Sequence, residues 1–180
     1  MNTKVVEIVS AFLLLSAGAT AQKVLVMPWD DVPDNIKAPV NEKMVSMAFA
    51  KGVQVYTCQA ETDGKYSWVL KEPRANLSDY DGKQIGLHYA GPTWKFNDGS
   101  EVTGKMVAKH DSPKAGSIPW LLVKAISNKG HGALEHVTSI ERIGTEGGVA
   151  DTASVCDEKN LRKESESEYS ALYYFFAPRN

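Results

Sequence analysis

Five side chains with chemistry to offer fall close together in the sequence: His88, Tyr89, Trp94, Asp98 and Glu101. An imidazole oriented by a carboxylate can act as a general base near neutral pH. His88 with Glu101 or Asp98 is therefore the candidate catalytic set for a hydrolase or lyase. The same stretch supports a different use, in which Trp94, Tyr89 and His88 bind a ligand. A flat aromatic ring meets the C–H face of a sugar, and Asp98 and Glu101 supply polar partners. The plainer reading of His88 is a strand histidine hydrogen-bonded to its own scaffold. Pairing across a turn at Asn97-Asp98-Gly99-Ser100 places His88 well down a hairpin from Glu101, so contact between them is not dictated by the spacing. Beside that polar turn, Trp94 is expected at the surface, whereas Trp120, between Pro119 and Leu121, is expected in the core.

Other chemistries find less support. The four histidines, His88, His110, His131 and His136, match no local metal-ligand spacing, and neither metal nor cofactor is expected. There is no Gly-x-Ser-x-Gly elbow for a nucleophilic serine. Gly147-Gly148 lacks the strand-to-helix setting of a phosphate cradle and reads as a turn.

The elements that must position these residues read as strands. Residues 22–41 form an extended lead-in broken by Pro28, Pro33 and Pro39, each of which removes a backbone donor. From Glu42 to Gln59, β-branched and aromatic residues alternate on both sides of Lys51-Gly52, which predicts two strands with a break there. Thr62-Asp63-Gly64-Lys65 is a hairpin turn with Tyr66–Leu70 returning, and Asp81-Gly82 and Asn97–Ser100 repeat the same turn chemistry. Ile85–Trp94 reads as a strand crossed by Gly91-Pro92, with Glu101–Lys109 after it. Ile118–Ala125 reads as a mostly buried strand. Leu134–Ile143 alternates, with Leu134, His136, Thr138 and Ile140 on one side. Residues 149–168 are a long polar loop, and Tyr169–Phe176 is the closing strand. Helical periodicity is sustained nowhere, so the expected fold is all-β: an antiparallel sandwich or barrel of about eight strands with little helix.

The amino terminus reads as an export signal. Lys4 precedes an apolar run through Val5 to Leu15, then small residues, with Ala19-Thr20-Ala21 as the cleavage pattern. Cleavage is expected after Ala21, leaving residues 22–180 as one domain, secreted or periplasmic. The run is too short to span a bilayer, and no later stretch is long enough for a transmembrane segment. Twenty-two acidic residues nearly balance 20 basic ones and are interspersed with them, so no basic stripe points to nucleic acid. The two cysteines have no CxxC spacing, and in an oxidising compartment they most economically form one bridge, Cys58–Cys156.

Several segments together carry a family resemblance: Gly52–Cys58, Gly86–Trp94 with its His-Tyr-Ala-Gly-Pro-Thr-Trp run, and Ile118–Leu122. Val137–Ile140, Gly147-Gly148, Cys156-Asp157 and Tyr169–Phe175 complete the set. The chain resembles the domain of unknown function family 3455, made of exported bacterial and fungal proteins. That resemblance implies export and a single domain but carries no catalytic residues with it. Where the pattern has Gly-Gly-x-Ala-Pro, this chain has Gly147-Gly148-Val149-Ala150-Asp151. The function expected is thus an exported β-domain that binds a small ligand, a glycan or an envelope component. The alternatives are the hydrolase or lyase above and a purely structural envelope protein.

Overall fold

The computed structural model describes residues 32–151 and 154–179. The expected signal segment 1–21, its cleavage point and the lead-in before residue 32 lie outside the described residues. Eight antiparallel strands follow one another in order and close into a barrel. They are β1 (Glu42–Ala60), β2 (Tyr66–Ser78), β3 (Gln84–Tyr89), β4 (Thr93–Phe96), β5 (Glu101–His110), β6 (Trp120–Lys129), β7 (Ser139–Gly147) and β8 (Glu164–Pro178). The all-β expectation holds, and of its two forms the barrel is the one adopted: β1 pairs with β2 on one side and with β8 on the other.

Several expectations give way to the structure, among them Ile85–Trp94, which is not one strand but the β3–β4 hairpin turning at Ala90–Pro92. Lys51-Gly52 does not interrupt β1, which runs through it as one strand. Gly52 is there because β2 crosses so closely that a Cβ would run into the Arg74 carbonyl and Ala75. It marks close backbone approach inside a strand rather than a strand end. Leu134–Val137 alternates without being a strand. It forms tight turns, with Glu135 N–H donating to the Gly132 carbonyl at 3.1 Å and Val137 N–H to the Leu134 carbonyl at 3.3 Å, so β7 begins only at Ser139. The described part of the lead-in is not extended throughout, since Asp34–Ile36 forms a 3-10 turn. That turn presses fully buried Ile36 onto an outer apolar cluster with Val32, Ile143, Leu172 and Tyr174. At the carboxyl side, β8 starts at Glu164 and shortens the long loop. Cys58 and Cys156 form the expected disulfide, which pins that loop to β1.

The main core fills the barrel lumen. Small residues on β1 and β8, Ala48, Ala50 and Ala171, leave room for Trp94, Phe96, Tyr173 and Phe175. Small-against-large filling of this kind suits an eight-stranded barrel, whose interior is just wide enough for packed side chains or one small ligand.

Candidate functional site

Strand pleating decides where the sequence candidates go. His88 pairs with Trp94 across the β3–β4 hairpin, and Trp94 with Val102 across β4–β5. All three point into the lumen. Their neighbours Tyr89 and Glu101 lie on the opposite, outer face, as the two-residue period requires. There the Tyr89 hydroxyl donates to Glu101 Oε2 at 2.8 Å, and Lys129 approaches Glu101 at 3.5 Å. The Tyr89 bond, with Lys129 beside it, holds the Glu101 carboxyl below its ordinary range even though burial opposes this.

Asp98 belongs to a third location, the β4–β5 turn. Its Oδ1 accepts from the backbone and hydroxyl of Ser100 at 2.9 and 2.6 Å, and its Oδ2 from Ala133 N–H at 2.8 Å. The expected catalytic set therefore does not converge, because neither carboxylate is a hydrogen-bond partner of His88. The imidazole instead bonds through Nδ1 to the Thr93 carbonyl at 2.8 Å. A carbonyl only accepts, so Nδ1 carries the proton and the neutral ring keeps Nε2 as an acceptor. Burial pushes the His88 pKa down to about 3, the Thr93 bond opposing and the positive Arg142 assisting. This imidazole is neutral at physiological pH.

The surface role expected of Trp94 is overturned. The residue is 1% exposed, stacked on the His88 ring at 4.4 Å and met edge-on by Tyr173 and Phe175. The cause is parity: the position faces the lumen although the adjoining turn is polar. Trp120 packs instead against the outer cluster under the lead-in. Trp68 ties down the disulfide loop, its indole donating to the Ser154 carbonyl at 2.9 Å. Among the described residues the tryptophans thus share no platform. The histidines also scatter, with His110 beside Asn35 and His131 beside Glu135. Among the described residues no three His, Cys, Asp or Glu side chains group as metal ligands do.

What the fold does bring together lies at one end of the lumen. A cavity of about 470 Å³ opens there, and His88, Gln54, Tyr56 and Arg142 are among the residues lining it. Apolar walls come from Pro73, Pro92, Met106, Ile118, Pro119 and Leu121, with Lys71, Glu72 and Lys109 at the rim. Arg142, only 9% exposed, donates from Nε and Nη2 to the Pro119 carbonyl at 3.1 and 2.7 Å. No carboxylate pairs with it among the described residues. Behind it, Tyr169 and Tyr173 face the same positive charge, and burial raises both phenol pKa values. Their hydroxyls, and Oε1 of the 2%-exposed Gln54, make no hydrogen bond of acceptable geometry. Tyr56 is satisfied, donating to the Gly148 carbonyl at 2.6 Å.

Of this set the sequence reading found only His88. The available signal was alternation: carried two residues past Ile140, the inward side of β7 reaches Arg142, a charged residue on an apolar face.

No curated protein and no solved structure matches the chain. Residues 39–177 match the family model described as Protein of unknown function (DUF3455). That span takes in the whole lumen-lining set from Gln54 to Tyr173, and the chain belongs to the DUF3455 family.

Proposed function

We propose that this is an exported barrel that binds one small molecule in the open end of its lumen. The observation that carries the reading is the cavity of about 470 Å³, backed by buried polar atoms that lack partners among the described residues. Its size lies in the range of small-ligand sites, and its lining is of the usual kind, apolar walls with a few convergent polar groups. Eight strands enclose a lumen suited to one such ligand. A glycan platform at Trp94 gains no support from a ring covered by His88 and Tyr173. Acid–base catalysis by His88 gains none from a neutral imidazole without a carboxylate beside it. The disulfide favours an oxidising compartment, in keeping with a signal cleaved after Ala21 and a secreted or periplasmic protein.

The test is a ligand screen by saturation-transfer NMR on the purified protein and on Met106→Trp. Met106 lines the cavity mouth and is 51% exposed, so an indole there obstructs entry without entering the core. Binders lost in Met106→Trp are the expected result. A native protein that binds nothing, or binders that the blocked form retains, would leave the purely structural reading in possession.

A further inference from the structure

Arg142 is a cation in the barrel interior with no carboxylate partner among the described residues. An arginine remains charged at any physiological pH and carries five N–H donors. Two of those are engaged, both by the Pro119 carbonyl, which neutralises nothing. Of the rim charges only Glu72 is an anion, and it is already paired with Arg74 at 3.2 Å. Buried charges are as a rule paired, since an isolated one is costly to keep out of water. Beside Arg142 stands Tyr173, its hydroxyl turned toward Arg142 and Tyr169, and Gln54, whose amide has an unbonded oxygen, lines the same cavity. Toward the rim the lining turns apolar through Leu121, Ile118 and Met106.

We infer that the lumen ligand is a small amphipathic organic anion, its charged oxygens on Arg142 and its apolar body against Leu121, Ile118 and Met106. The inference rests on the cavity being a binding site. It adds the chemical class: one negative charge to meet one uncompensated positive charge, on a molecule with an apolar remainder. Planar, forked donors suit the oxygens of a carboxylate or sulfonate.

Two dyes of the same aromatic body provide the test. One is 1-anilinonaphthalene-8-sulfonate, and the other is N-phenyl-1-naphthylamine, which lacks the sulfonate. Titrated by fluorescence into the native protein, the sulfonate is expected to bind about tenfold to a hundredfold more tightly, the range of one buried hydrogen bond to a charged group. Arg142→Met should close that gap, and octanoate should displace the sulfonate dye where octanol does not. Equal affinities in the native protein, with octanol as effective as octanoate, overturn the anion assignment and leave the cavity reading standing. If neither dye binds, or both bind Met106→Trp undiminished, the cavity reading falls and the anion with it. The comparisons on the native protein decide the matter even if Arg142→Met does not fold.

Discussion

The two ends of the barrel are finished in opposite ways. At the closed end the β6–β7 connection folds inward and plugs the lumen with Leu134 and Val137, 0% and 1% exposed. Most of its polar groups find partners inside the protein, Glu42 Oε2 beside Thr138 being the exception. Asp98 receives Ser100 and Ala133, the Ser100 hydroxyl receives Leu134 N–H at 3.1 Å, and the Asn128 amide donates to the Leu134 and Val137 carbonyls. At the open end Gln54, Tyr169 and Tyr173 keep unbonded polar atoms around Arg142, which has no carboxylate partner among the described residues. Leaving such atoms buried and unmatched costs about 1–3 kcal/mol for each group. The unbonded groups are thus concentrated around Arg142 at the open end, against one carboxylate oxygen at the other. Closure is thus a stability feature, and the proposed site lies at the less satisfied end.

Trp94 is the partition between the two ends, stacked on His88 toward the cavity and edge-on to Phe175 toward the plug. Trp94→Ala should show the largest effect, a loss of about 3–5 kcal/mol typical of emptying a large core position, read by urea unfolding. A loss below about 1 kcal/mol would mean that the partition does not exist and that the two ends form one space. Asp98→Ala should act on the closed end alone. Because the Asp98 side chain is itself exposed, its bonds are discounted for solvent, and the expected loss is about 1–2 kcal/mol. Dye binding at the other end should be unchanged. Burial raises the Asp98 pKa, but the bonds from Ser100 and Ala133 together outweigh this and lower it from 3.8. A depressed folded-state value means that the contribution is whole above the unfolded-state value and is lost as pH falls through the lower, folded one. The stability gap between native protein and Asp98→Ala should therefore shrink in acid below about pH 4. A gap that persists there, or weakened dye binding in the variant, would show that the ends are coupled.

Turn chemistry and alternation made much of this architecture readable. Asp98-Gly99 adopts the turn its composition demands, with Gly99 at a φ of 94°, and the strand-rich terminal segment does close the barrel. The disulfide followed from the expected export signal and the cysteine number. Harder to read was which face of a strand meets the lumen, because both faces of this barrel carry apolar residues. Leu87 and Val107 point outward and are exposed, while the outer face of β7 is buried under the lead-in. Parity therefore could not be fixed by hydrophobicity, and His88 and Glu101 were read together although the pleat separates them. Gln54 and Arg142 escaped for a related reason. A single polar residue in a strand reads as solvent-facing until the neighbouring strands are known to surround it, and that knowledge comes only with closure.

The smallest expected effect sharpens the comparison most. If Arg142 were structural in the way Asp98 is, removing it would destabilise the barrel, since truncating one member of a buried ion pair costs about 3–5 kcal/mol. Among the described residues Arg142 has no such partner, so Arg142→Met removes an uncompensated charge and keeps most of the side-chain volume. What is lost is the pair of bonds to the Pro119 carbonyl, and what is gained is relief from burying a cation. These oppose each other, and the net change in unfolding free energy should stay within about 1 kcal/mol. Urea unfolding measures it on the same samples used for dye binding. A stability loss of about 3 kcal/mol or more would place Arg142 in the same class as the closed-end network and remove the reason for assigning it a ligand. Stability held while the preference for the sulfonate dye vanishes would instead separate the two ends by purpose, one built to hold the fold and one to hold an anion.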